Sequence, residues 1–153
     1  MENVLPVLAS KVFASGKRLL INARQQEVAE HVNTLLWTYA PDSWIPHGTI
    51  RDGHEKRQPV FICEDGKNPN DAQVLMLIDE ADISELAGFE RCLFVFDGTV
   101  PDVVARARVF WKTVAATQGY EAHYWAQNDA GKWEEKAQSA QPASPVAAET
   151  GDH

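Results

Sequence analysis

The chain has 153 residues, 44% of them hydrophobic, which suits a single domain with one ordinary core. Its formal charge of -8 excludes a protein whose main task is to coat nucleic acid, because the phosphate backbone would repel its overall field; any link to DNA is indirect. The N-terminus does not read as a signal peptide and no apolar run reaches the roughly 18 residues of a membrane span, so no membrane partner is expected and the cytoplasm is the default compartment.

Val4, Leu5, Leu8, Val12 and Phe13 recur at helical spacing up to Ser15-Gly16, a helix stop, and predict a first helix. Arg18 to Ala23 (RLLINA) reads as a buried strand. Gln25 to Tyr39 then returns to helical period, with Val28, His31, Val32, Leu35 and Leu36 facing inward. Ala40 to Gln58 carries prolines, glycines and mixed charge without a period and predicts a long irregular connection. Apolar runs at Pro59 to Cys63, Val74 to Ile78 and Arg91 to Phe96 predict three more strands, with ELAGF supplying only a short helical turn before the last. Thr99 to Asp102 fits a capping box, with Pro101 tolerated in the first turn, and opens a helix that Gly119 closes. Tyr120 to Gln127 reads as a final strand. Continuous apolar strands alternating with helices imply a three-layer α/β domain with a mostly parallel sheet over residues 1–136. From 137 to 153 almost no large apolar residue remains to offset the entropy of ordering, and a disordered tail is expected.

Several motifs invite a catalytic reading. Val74 to Asp82 (VLMLIDEAD) has the form of an apolar strand ending in the acidic pair of a nucleotide hydrolase, with Asp79 and Glu80 placed to hold magnesium and water. Such a pair acts on a nucleotide cradled elsewhere, and the chain contains neither GxxxxGK[ST] nor GxGxxG. The five histidines show no HExxH or i, i+4 pairing for zinc. Cys63 and Cys92 sit in apolar runs that disfavour a thiolate, so both read as reduced core residues. No cofactor, metal or catalytic residue is expected.

The segment RARVFWK stands out in an acidic protein. At about 100° per residue, Val103, Ala107, Phe110 and Val114 share the face that packs on the sheet. Trp111 and Val104 border that face, followed by Arg108 and Lys112, while Arg106 projects from the opposite edge. Spacing alone leaves two readings: an indole capping the core beside solvated cations, or a pocket for an acidic, partly apolar peptide, with Arg108 clamping a carboxylate.

The blocks SGKRLLINA, LLWTYAPDSWIPHG, RQPVFI, GFERCLFVFDG, ARARVFWK and GYEAHYWAQNDAGKWE, spread between about Leu5 and Trp133, resemble the chi subunit family of bacterial DNA polymerase III in order and spacing. The resemblance implies a three-layer α/β/α Rossmann-like fold and a non-catalytic accessory subunit of the replicase, working at the clamp loader. It implies that Val104, Arg108, Trp111 and Lys112 bind the acidic, phenylalanine-ended C-terminal tail of the single-stranded DNA-binding protein. Some members carry a lysine where this chain has Val104. A second surface, at Trp37, Trp44, Pro46 and His47, is implied to contact a psi subunit or, in some bacteria, a helicase; Trp37 could equally be a core residue ending its helix. Family members also begin with a short strand before the first helix. Met1 lies almost inside that helix, so the resemblance implies that this internal strand is missing here and is carried upstream, its loss leaving strand edges unpaired.

Overall fold

The computed structural model describes residues 4–39, 45–127, 130, 132–138 and 144–150. They fall into two compact units, Glu2–Met76 and Leu77–His153, with the division inside a strand.

In the first unit, helix α1 (Val4–Ala14) buries Val4, Leu5, Leu8 and Ala9. It stops where expected: the Ser15 hydroxyl donates to the Val12 carbonyl at 2.6 Å and Gly16 takes a φ of 81°, which costs glycine little. Strand β1 (Leu19–Asn22) is buried throughout, and so is β3 (Val60–Cys63), with which it pairs in parallel, Leu19 opposite Val60. Both read as continuous apolar runs because both faces are covered. Helix α2 (Gln26–Thr38) packs on the sheet and buries Ala29, Val32 and Leu36. Val28 and Leu35 are half-buried, while His31, expected inward, is exposed.

The region expected to be irregular holds one more strand. β2 (His47–Thr49) pairs in parallel with β3 on the side away from β1, His47 opposite Val60. Three residues that include a histidine and a glycine carry no strand period, so only the neighbour's free edge reveals it. Gly48 permits a close approach here: a Cβ at this position would lie 2.7 Å from the side chain of Gln58. The buried Asn70 amide donates to the carbonyls of Leu19 (3.2 Å) and Gln58 (3.0 Å), supplying hydrogen bonds at the start of β1 and before β3.

Strand β4 (Val74–Ile78), entirely buried, contains the division. In the second unit, the Asp79 amide just past β4 donates to the Val95 carbonyl at 2.9 Å. Strand β5 (Arg91–Phe96) is buried from Cys92 onward. Helix α3 (Pro101–Ala116) packs on β5 and on β6 (Tyr120–Gln127). Its N-cap is Val100 rather than Thr99: the Asp97 carboxylate engages Thr99, accepting from its amide at 2.9 Å and its hydroxyl at 2.6 Å, so the expected Thr99–Asp102 capping box does not form. A capping box does form between Asp82 and Glu85, on the short helical turn Ile83–Leu86.

The sequence predicts a structureless tail from residue 137. Here Trp133–Gln138 forms β7, antiparallel to β6, and Ser144–Thr150 forms β8, parallel to both β5 and β6 and lying between them. Composition registers side-chain burial, whereas β8 is defined by main-chain pairing on two sides. The order in this unit is β5-β8-β6-β7. The fold is a three-layer α/β architecture with a mostly parallel sheet, and no helix among the described residues is long and apolar enough to cross a membrane.

Candidate functional site

Helix α3 turns as its periodicity requires. Val103, Ala107, Phe110 and Val114 are buried, Phe110 stacking on Phe94 of β5 with ring centroids 5.3 Å apart. Val104 and Trp111 are half-buried beside this face, and Arg108 and Lys112 are exposed beyond them. The four expected peptide-binding residues therefore form one contiguous stripe. Among the described residues no carboxylate pairs with Arg108 or Lys112, and the buried Nε1 of Trp111 has no hydrogen-bond acceptor. Chemically, the stripe offers two unpaired cations, part of an indole ring and an apolar margin to an incoming anionic, partly apolar group.

Arg106 leaves the helix on the other side, where its charge reaches Asp79. Burial pushes the Asp79 carboxyl above the usual carboxylate value, and the nearby Asp97 charge adds to this; the Asp97 amide, which donates to Asp79 Oδ1 at 3.2 Å, and Arg106 work in the opposite direction. Asp79 also has a left-handed φ of 59°. The acidic pair expected of a nucleotide hydrolase thus begins with a residue that builds the junction between β4 and the β5–α3 turn. Among the described residues no group of three histidine, cysteine, aspartate or glutamate side chains could hold a metal ion.

The second expected surface is divided. Trp37, near the end of α2, is 56% exposed, which resolves the choice between core and surface. His47 is only 8% exposed. Its Nδ1 lies 2.8 Å from the Ile45 carbonyl and its Nε2 lies 2.9 Å from the Asn33 carboxamide oxygen. His47 is thus an internal tie between α2 and the segment before β2, and it supports Trp37 at a ring-centroid distance of 4.7 Å. Pro46 is half-buried and Trp44 lies outside the described residues. Ile50, 64% exposed just after β2, was not singled out by periodicity because it follows a strand that the sequence does not reveal.

Near the carboxyl end of β3, Ile50, Glu55, Phe61, Cys63, Glu64, Asp65, Lys67 and Pro69 line a cavity of about 350 Å³. Burial pushes the Cys63 thiol up to about 11, and complete burial raises Cys92 further, so neither is a ready nucleophile.

These features define a small three-layer α/β domain distinguished by a cationic, aromatic helix. The chain belongs to the family described as "DNA polymerase III chi subunit, HolC", whose profile matches residues 1–123. It is also 33% identical over 89 residues to the "Probable DNA polymerase III subunit chi" of Rickettsia prowazekii (strain Madrid E), a match covering 58% of this chain and 54% of that protein. The chain thus spans about half the length of the curated relative it matches.

Proposed function

We infer that this protein is a non-catalytic replisome subunit whose α3 stripe binds the acidic C-terminal tail of the single-stranded DNA-binding protein. The observation that carries the reading is the pairing of two exposed cations without a carboxylate partner among the described residues, Arg108 and Lys112, with the half-buried ring of Trp111 beside them. An acidic peptide ending in phenylalanine matches this chemistry: its carboxylates meet Arg108 and Lys112, and its ring lies against Trp111 and Val104. The negative charge of the whole chain does not oppose this, because the stripe is local and charges beyond about 10 Å are screened at ordinary salt.

The Trp37 surface serves the other half of the role, docking a psi subunit or a helicase and so tying the DNA-binding protein to the clamp loader. An exposed tryptophan held from beneath by a buried histidine is a preorganised anchor. Trp44 and Pro46 extend this surface in sequence.

Titrating the full chain with a labelled acidic peptide ending in phenylalanine tests the first part. One-to-one binding that weakens with salt but persists at high salt is expected, because the aromatic contact is not screened. A peptide amidated at its C-terminus should bind less well if Arg108 clamps the terminal carboxylate. Failure of the free-acid peptide to bind would overturn the reading.

A further inference from the structure

The cavity near the carboxyl end of β3 belongs to the first unit and is lined by no residue of α3 and by neither Trp37 nor His47. Its floor follows from strand geometry. Phe61 and Cys63 lie two residues apart on β3, so they point to the same face, and both line the space. Gly48, in register with Phe61 on β2, adds no side chain to that face, while Ile50, two residues further on, and Pro69 complete the apolar lining. At about 350 Å³ the cavity falls within the range of small-ligand pockets, roughly 300 to 1,000 Å³.

The charges around this floor are not balanced. Lys67 lies 3.9 Å from Asp65 and answers that carboxylate. Glu55, half-buried on the short helical turn Glu55–Arg57, and Glu64, just past β3, line the same space, and among the described residues neither carboxylate has a hydrogen bond or an ion pair. All 14 lysines and arginines of the chain lie among those residues, so none of them supplies the missing charge. Carboxylates beside an apolar floor suit a cation that lays an apolar body on the floor and keeps its charge at the rim. An anion would be repelled, and a purely apolar ligand would desolvate Glu55 without giving it a partner.

We propose that this cavity binds an amphipathic organic cation, a primary ammonium or guanidinium carried on an apolar stem, with the stem against Ile50, Phe61 and Pro69 and the charge at Glu55 and Glu64. A free amine and the basic side chain of a partner protein share this chemistry. The inference goes beyond the α3 reading and does not depend on it.

Two probes titrated into the full chain by calorimetry separate the sources: phenethylamine and the dipeptide acetyl-Phe-Arg-amide. Phenethyl alcohol, which keeps the shape and lacks the charge, should bind about tenfold more weakly than the amine, and hydrocinnamate should not bind measurably. Glu55→Gln should weaken the amine by about tenfold, and Glu64→Gln by less because Glu64 is more exposed. Bound amine should also slow alkylation of Cys63 at a fixed alkaline pH, which locates it over the floor. Arg108→Ala should change none of this, so failure of the α3 reading leaves the result standing. Binding of the amine alone assigns the site to a free small molecule, and binding of the dipeptide assigns it to a partner's basic side chain; either supports the site. The proposal is overturned if neither probe binds, if the alcohol binds as tightly as the amine, if the folded double variant Glu55→Gln, Glu64→Gln keeps full affinity, or if bound amine leaves Cys63 alkylation unchanged.

Discussion

Phe110 of α3 lies over Phe94 of β5 with their ring planes inclined by 26°, and this stacking sets the rotation of the helix. With Phe110 turned inward, about 100° per residue puts Trp111 at the margin and Arg108 roughly 60° further round, while Arg106 falls on the opposite margin. The apolar core thereby decides which cations face outward together.

Arg108→Ala should therefore lower affinity for an acidic peptide ending in phenylalanine by about 1.5 to 3 kcal/mol, the range for a hydrogen bond to a charged group. Arg106→Ala should change it much less. Calorimetric titration of both folded variants checks this; equal losses would reduce the stripe to a diffuse positive patch.

Trp37→Ala should leave the melting temperature close to that of the parent, because the side chain is 56% exposed, while weakening the psi or helicase contact by roughly 2 kcal/mol. His47→Ala should behave in the opposite order. It removes a buried tie to Ile45 and Asn33 and should cost about 1 to 3 kcal/mol of stability, measured by urea unfolding. A Trp37→Ala chain that melts as early as His47→Ala would mean that Trp37 is structural.

Asp79 gives a pH signature. Its folded-state pKa is raised, so its contribution favours folding most below the ordinary carboxylate value and is lost as pH rises through the folded value. Asp79→Asn should thus be more stable than the parent at neutral pH, by well under about 1 kcal/mol given the partial exposure of the group, with the gain vanishing toward acid. Asparagine also tolerates the left-handed φ of 59° and can still accept from the Asp97 amide. Urea unfolding of both proteins across the acid range would show it; a constant difference at every pH would contradict the assignment.

The cysteines should alkylate in a fixed order. With Cys63 pushed up to about 11, roughly 0.1% is thiolate at pH 8, so iodoacetamide should react slowly with the native chain. Cys63 lines the cavity and Cys92 is completely buried, so modification should reach Cys63 first as pH rises and Cys92 only on unfolding. Peptide mass spectrometry distinguishes the two sites, and early labelling of Cys92 would refute this order.

The strands covered on both faces were legible as apolar runs: LLIN, VFIC, VLMLI and RCLFVF each announce themselves. So was the inward face of α3, because Val103, Ala107, Phe110 and Val114 repeat at the helical period. β2 and β8 were not, since HGT and SPVAAET are strands through their neighbours' main-chain groups rather than their own side chains. The stripe of Val104, Arg108, Trp111 and Lys112 could be placed from spacing and resemblance together. The burial of His47 could not, because a histidine becomes internal only when both ring nitrogens find partners, and those partners come from α2 and from the segment before β2.

The His47 tie also has an evolutionary corollary. By engaging Asn33 on one side and Ile45 on the other, it ties the middle of α2 to the segment that enters β2. The two side chains form one unit of selection, because the loss of either leaves the other's buried polar atom without its partner. Orthologues should therefore keep a hydrogen-bonding residue at 33 wherever they keep a histidine at 47, and the two positions should change together.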